Sequence, residues 1–572
     1  MSIFCVPKLD VNYSLVSEYP LAALFLVNPA ADGSCPLQAE NTKGEGMFLL
    51  DFFKTGPDKP ILSDENEIRR LYERKRRTVF FGLVFGYSFF YVCRLTLSVA
   101  KKSIVDEGVL DPEQLGKIGF AFFIAYAFGK LINGFLADRS HIGRFMSTGL
   151  LVSAVLLVLF GFTNAFLVFV LLWGVSGWFQ AMGSAPSGAS ISQWFSNKER
   201  GTRYSIWSSA HPIGEGISMV VTATIISYLS WRWGFWIAGT VSILVALVLY
   251  KLLADRPRAY GLPTIADYKN DHTVESAKED QDVNKAQFEV IKNPYVWILG
   301  LSCTTVYIAR YGISSWGPMF LQEAKDYTLI TAGLVLGWSK IFELSGAISS
   351  GFVSDYFFHA RRNVVTLLYG LIMISGLLLL YTSPSTRLAD LDLSAKAVFK
   401  EGPVEDSLRQ LFQDKQIILP AQSTVEVYKQ GEEKTTVWLV KNDRRYLFWT
   451  GYAVEETPDA LKVTAKVRFA HLVGIALFGF GLGGTLVFVG GLIAIDICSK
   501  RASGAAMGLV GMFSYLGAAV QDWISGILIK AGEITVDGHA IHDFDNAFLF
   551  WIGAAVASMV FACLLWNVKA KD

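Results

Sequence analysis

The segment GFLADRSHIGR (residues 134–144) returns in altered spelling as GFVSDYFFHARR (residues 351–362). Each copy runs from a Gly through apolar residues to an Asp and then to arginine, and Asp355 follows Asp138 by 217 residues. Each also ends a long apolar stretch. Gly lets a helix end approach its neighbour, and Asp can pair with Arg across adjoining helix ends. Asp138, Arg139 and Asp355 are therefore candidate ion-pair residues. One such turn is common in any helical chain. Two, at matching places in two halves of one chain, imply an internal duplication with both halves running in the same direction.

Around these segments the chain is strongly apolar. Of its 572 residues 52% are hydrophobic and 18% charged, which is too little charge for a set of water-soluble domains. The same numbers exclude a disordered chain, and 51 basic against 50 acidic residues exclude a nucleic-acid binder with a basic surface. Six scattered cysteines show neither metal-ligand spacing nor a pairing pattern. A bilayer crossing needs about 20 apolar residues. Twelve stretches qualify, at 79–100, 118–137, 146–163, 166–189, 205–229, 234–253, 294–320, 329–352, 364–382, 468–496, 504–529 and 547–567. Every second short connection is basic (Arg74 to Arg77 before the first span, Arg139 and Arg144, Lys198 to Arg203, Arg256 and Arg258, Arg361 and Arg362, Lys500 and Arg501). Lys101, Lys102 and Lys117 dilute the contrast on the other side. The bias places both termini in the cytoplasm.

The expected architecture is an all-α membrane protein of twelve transmembrane helices in two parallel six-helix repeats, with a small α+β extracytoplasmic insert. Residues 1–78 read as an N-terminal cytoplasmic tail and 79–253 as the first half. A polar linker at 254–293 leads to the second half, 294–382 and 468–567. The insert is 383–467, where a helix-like piece (407–419) precedes alternating runs such as TVEVYKQ (424–430) and KTTVWLVKN (434–442). Residues 1–46 are weakly patterned, and Met47 is the more plausible native start.

An ionisable group at the centre of a spanning helix costs about 2.5–3.5 kcal/mol on insertion scales, so each needs a reason. Arg94, in GYSFFYVCRLTLSVA (86–100), and Arg310, in TTVYIARYGISSWGP (304–318), lie in the first span of each half. They are 216 residues apart, within one residue of the repeat offset. The duplication thus sets two guanidinium groups across a pseudo-two-fold axis. Facing cations need an anion between them, and the planar fork of Arg suits an oxyanion. The plainer alternative is that each arginine pairs with a buried carboxylate such as Glu343. Lys130 is a third cation within the spans. His211 in span five is an anion donor or a packing residue, with Glu215 one turn on as its simplest partner. Tyr87 and Tyr91 share the helical face of Arg94. Glu343 and Asp522 are buried acids suited to gating ion pairs. No catalytic constellation, metal site or cofactor motif is present in the sequence. The Gly-rich stretches lack the Lys-Ser/Thr of a phosphate loop and suit close helix packing instead.

Several stretches together, namely MFLLDFFKTGPDKP (47–60), DRPRAYGLPTIADYKND (255–271), SIWSSAHPIGEG (205–216), FELSG (342–346) and RASGAAMGLVGMFSYLGA (501–518), resemble the organophosphate:phosphate antiporters of the major facilitator superfamily. NPYVWILGL (293–301) and IDICSKRASGAA (495–506) are most similar to the hexose-phosphate sensor and transporter branch. The resemblance covers about 47–382 and 468–567. It implies a secondary transporter that takes up a sugar phosphate, glucose 6-phosphate foremost, in exchange for inorganic phosphate by rocking of the two halves. Arg94 and Arg310 would hold the phosphate, His211 and Lys130 would assist, and Tyr87, Tyr91 and Tyr126 would line the site. It further implies a bacterial inner membrane, lipid and phosphate compounds as partners, no cofactor and no nucleic acid. Other readings are a non-transporting receptor for external hexose phosphate with a sensor-kinase partner, a glycerol-3-phosphate antiporter, and a proton-coupled sugar symporter. Two departures stand out. Leu95 replaces the family's Lys after the first arginine, and Ser315 replaces its Asp five residues after the second. Pro212 replaces an Asn after His211, and Glu215 is added.

Overall fold

In the lipid core every backbone N–H and C=O must be paired within the chain, so a spanning segment of this composition has to be helical. The computed structural model bears this out. It describes residues 52–138, 140–270, 290–358 and 362–385, the strands of an insert, and residues 468–493, 497, 503–536 and 539–566. The readings for residues 1–46, Arg139 and the helical piece at 407–419 lie outside the described residues.

The first half consists of α1 (Glu65–Asp106), α2 (Pro112–Asp138), α3 (Ile142–Phe160), α4 (Phe166–Gln180), α5 (Ser184–Trp194), α6 (Asn197–Ser208), α7 (Ala210–Tyr228) and α8 (Trp231–Leu252). The second consists of α9 (Pro294–Tyr311), α10 (Gly317–Glu323), α11 (Leu329–Tyr356), α12 (Arg362–Thr382), α13 (Phe469–Val487), α14 (Ser503–Ala531) and α15 (Asp545–Leu564). Four of the spans read as single helices are interrupted. Span ten passes into a π-helical turn, Phe488–Leu492, directly after α13. Span four breaks at 181–183 between α4 and α5, span five at Ser209 between α6 and α7, and span seven passes through a π-helical turn, Gly312–Trp316, between α9 and α10. The π turn directly follows Arg310 and carries Ser315. By length and apolarity ten segments suffice to cross a membrane. The two that fall short are α7 and α11, which carry His211 and Glu215, and Lys340 and Glu343. Large apolar side chains such as Phe81, Leu171, Ile348 and Leu371 stand outward, as lipid contact requires.

α1 runs well beyond the apolar stretch, from Glu65 to Asp106, and so contains Lys101 and Lys102. The sequence assigned these lysines to a connection. Asp64 caps this helix, accepting from the Asn66 N–H, and Glu65 and Glu67 complement its positive end. The two halves meet along α2 against α14, along α7 against α11, and where α1 touches the π turn of span seven and α10. The first crossing is very close: a Cβ at Gly116 would lie 2.6 Å from the Asp522 carbonyl oxygen and 3.1 Å from Cα of Gly526. Only glycine permits that approach.

Between α12 and α13 lies a seven-stranded sheet, β1 (Arg387–Asp392), β2 (Ala397–Lys400), β3 (Thr424–Gln430), β4 (Lys434–Lys441), β5 (Arg444–Leu447), β6 (Tyr452–Glu456) and β7 (Ala460–Ala465). The strand order is β1-β7-β6-β4-β3-β2 with β5 on β4, and β2–β3 is the single parallel pair among them. Both roots of the insert are fastened to the α10–α11 turn. Lys325 Nζ donates to the Ser383 carbonyl at 2.6 Å, the Tyr327 hydroxyl accepts from the Arg468 N–H at 3.1 Å, and His471 bonds Tyr327 at 2.8 Å.

Candidate functional site

Arg94 sits on the face of α1 that turns toward the second half. Its guanidinium is buried, yet its partners are all uncharged. Nε donates to Gln180 Oε1 at 3.2 Å, and Nη1 reaches the hydroxyls of Tyr311 at 3.4 Å and Tyr515 at 3.5 Å. The rings of Tyr126 and Tyr91 lie 4.3 and 4.6 Å from the guanidinium carbon. Nη2 has no hydrogen-bond partner, and among the described residues no carboxylate pairs with Arg94. Ring contacts contribute on the order of 2 kcal/mol at best when desolvated. Taking a cation out of water costs several kcal/mol even after relaxation. Arg94 is therefore a buried cation with neutral partners and no counter-charge among the described residues.

Arg310 has a different environment. Its Nη2 lies 3.0 Å from Glu215 Oε1 and 3.3 Å from Glu343 Oε1, and it also meets His211 Nε2. Lys340 Nζ lies 2.5 Å from Glu215 Oε2 and 2.9 Å from Glu343 Oε2. Two cations and two carboxylates thus close a compact cluster, with His211 Nε2 also 3.0 Å from Glu215. Glu215 and His211 come from α7 in the first half, and the others from α9 and α11 in the second, so the cluster ties the halves together. The expectation of two arginines facing each other with only an external anion to join them is corrected here. Arg94 has no carboxylate partner among the described residues, whereas Arg310 already has the carboxylate partner of the plainer alternative, plus a second from the opposite half. The two arginines still share one locus. Tyr311 bonds Arg94 and lies beside Arg310, and the Tyr91 ring is 4.5 Å from the His211 ring.

The other anticipated residues fall around this centre. Tyr87 stacks on Trp207 at 4.7 Å, and its hydroxyl is 3.5 Å from that of Tyr91. Lys130 is half-buried, 5.1 Å above the Tyr515 ring, with no carboxylate partner among the described residues. Asp355 lies away from the centre and pairs with Arg362 at 2.7 Å, the helix-end contact expected from the repeat; the side chain of Asp138 is outside the described residues. Asp522 pairs with Lys101 at 3.3 Å, and Ser315 Oγ is 2.6 Å from Asp522 and 2.7 Å from Lys101 Nζ. Ser315, where the resemblance implied an Asp, thus bonds an ion pair drawn from α1 and α14.

The sequence reading missed Lys101, Lys340, Gln180, Tyr311 and Tyr515. Two had a local signal. Lys101 follows Arg94 by seven residues on the same helical face, and Lys340 precedes Glu343 by three. Gln180 and Tyr515 had none. Between Arg94 and Lys101 lies a cavity of about 20 Å³, room for a single water and far too small for a sugar phosphate. Among the described residues no His, Cys, Asp and Glu group is placed to hold a metal ion.

Residues 83–394 match the Major Facilitator Superfamily model, more than half of the chain. The chain belongs to the major facilitator superfamily. Within that superfamily it falls in the organophosphate:phosphate antiporter branch. The membrane sensor protein UhpC of Salmonella typhimurium is 31% identical over 83% of this chain and 90% of its own. A probable hexose phosphate transport protein of Chlamydia muridarum is 26% identical over 89% and 95%, and a glycerol-3-phosphate transporter of Bacillus subtilis 26% over 91% and 99%. Among solved structures, a bacterial homologue of the human lysosomal transporter Spinster superposes with a TM-score of 0.55 at 16% identity, covering 86% of this chain and 95% of that one. At that identity the likeness concerns the fold alone. The chain is accordingly a multi-pass membrane protein with a transporter's fold rather than an enzyme's.

Proposed function

We propose that this protein imports a sugar phosphate, glucose 6-phosphate foremost, in exchange for inorganic phosphate by alternating access, in a bacterial inner membrane with both termini cytoplasmic. The observation that carries the reading is Arg94, a buried guanidinium at the junction of the halves with an open Nη2 and no carboxylate. A phosphate dianion is a partner of the right charge and geometry for it. The relatives that are hexose phosphate and glycerol-3-phosphate transporters point to the same chemical class.

In this mechanism the phosphate oxygens take up the free donor of Arg94, and Arg310 turns to the same anion as its tie to Glu215 loosens. His211, Lys130 and the hydroxyls of Tyr87, Tyr91 and Tyr126 complete the site. Exchange of the inter-half tie from Glu215 to phosphate lets the halves rock. An empty centre leaves Arg94 alone uncompensated, which opposes reorientation without a bound anion. Phosphate-loaded vesicles carrying the purified protein should take up labelled glucose 6-phosphate. Equal uptake into phosphate-free vesicles would remove the exchange.

A second reading is a receptor that binds external hexose phosphate and signals to a sensor kinase. It is favoured by the relative named as a membrane sensor and by the Glu215 cluster, which closes the halves without any ligand. Saturable binding with no flux in the same vesicles would select it.

A further inference from the structure

The centre accounts for a phosphate but leaves unexplained a second polar group buried farther along α1. Lys101, Ser315 and Asp522 are each at most 4% exposed, and none touches Arg94 or Arg310. They come from α1, from the π turn after Arg310, and from α14. Their charges cancel, so the group offers hydrogen bonding without net charge. Lys101 also stands over the Trp316 ring at 3.4 Å. The small cavity beside Arg94 is lined by Ser98 and by all three of these side chains. Arg94, Ser98 and Lys101 are at positions i, i+4 and i+7, one face of one helix, spanning about 10 Å. That length is comparable with a six-carbon chain carrying a terminal phosphate.

We propose that Lys101, Ser315 and Asp522 form the subsite for the neutral, hydroxylated part of the phosphate ester, with the phosphate at Arg94. The inference rests on the phosphate-ester reading above. In the structure the three groups satisfy one another. When the halves part and the ligand enters, its hydroxyls replace those mutual contacts: Asp522 accepts, Lys101 donates, and Ser315 does either. A bulky side chain on α2 would spoil the arrangement, because a Cβ at Gly119 would collide with the Asp522 carboxylate. Inorganic phosphate has no part that reaches this subsite. A site built to hydrogen-bond a hydroxyl discriminates strongly against a ligand that lacks it.

The test is calorimetric titration of the full-length purified protein with glucose 6-phosphate and, separately, with inorganic phosphate. Asp522→Asn should raise the Kd for glucose 6-phosphate about tenfold or more and leave that for phosphate within about twofold, in line with loss of a hydrogen bond to a charged group. Ser315→Ala, which keeps the Lys101–Asp522 ion pair, should give a smaller loss, about threefold, again confined to the sugar phosphate. It guards against a simple folding defect in the first variant. Parallel losses for both ligands, or none for either, would overturn the subsite. The wild-type protein separates the two levels of inference: failure to bind either compound would sink the proposed function itself, whereas normal wild-type binding with non-selective variants sinks only the subsite.

Discussion

Arg94 and Arg310 occupy equivalent places in the two halves, yet their surroundings differ in the property that matters most for a buried charge. Arg94 is held by Gln180 and tyrosines, all neutral, and has no carboxylate partner among the described residues. Arg310 is locked between two carboxylates that also hold Lys340. The two arginines are similar cations at related positions, but residues on other helices give one neutral partners and make the other a fastening between the halves. Symmetry of position does not carry symmetry of role, because the energy of a buried charge is set by its nearest counter-charge and not by its place in the helix.

The largest effect that distinguishes the two arginines is on stability. Arg310→Ala leaves Glu215 and Glu343 sharing one cation, and should lower unfolding stability by about 3–5 kcal/mol. Arg94→Ala removes a charge that has no counter-charge and should leave the melting temperature unchanged or raised, while weakening phosphate binding on the order of 100-fold. Thermal unfolding in detergent beside phosphate titration reads both. Similar destabilisation by the two variants would erase the contrast.

Next in size is a change of opposite sign. Glu215→Gln removes the carboxylate that phosphate has to displace from Arg310, so phosphate should bind several-fold more tightly. A charged hydrogen bond exchanged for a neutral one is of that order. Weaker binding in this variant would mean that Glu215 serves the ligand and does not compete with it. The smallest effect concerns the orientation of Arg94. Gln180→Leu removes the acceptor of its Nε and should weaken phosphate binding about two- to tenfold with no change at Arg310. The same titration shows it; no change would mean that the tyrosines alone fix the guanidinium.

Much of the architecture was legible because membrane insertion imposes a simple code. Long apolar runs, basic alternate connections and the repeated Gly-to-Asp segments were enough for the helical segments and the duplication, and the alternating runs at 424–430 and 434–442 coincide with β3 and β4. Interruptions within spans four, five, seven and ten were not legible, since apolar composition is equally compatible with a straight helix. The first polar shell was half visible. Arg94, Arg310 and the tyrosine face followed from local periodicity, and Glu343 stood in the plainer alternative as a possible partner. Lys101 was misread as part of a connection because its helix continues past the apolar stretch. Leu95 and Ser315, where the resemblance implied a Lys and an Asp, were plain in the sequence, but the Lys101–Asp522 pair was not.

The sequence by itself determined that charges are buried in the spans, which residues bear them and that two of them are related by duplication. A charged residue is costly in lipid wherever its helix lies, so its presence is informative without a partner. Only the tertiary structure decided the pairing. Glu215 meets Arg310 across 95 residues of chain, and Lys101 meets Asp522 across 421. Those contacts depend on how α7 docks on α11 and α2 on α14. Lipid and helix faces are alike apolar, so hydrophobic patterning does not specify which faces meet. Close approach at Gly116 and Gly526 and the satisfaction of the buried charges themselves select that docking, and with it which arginine meets the carboxylates.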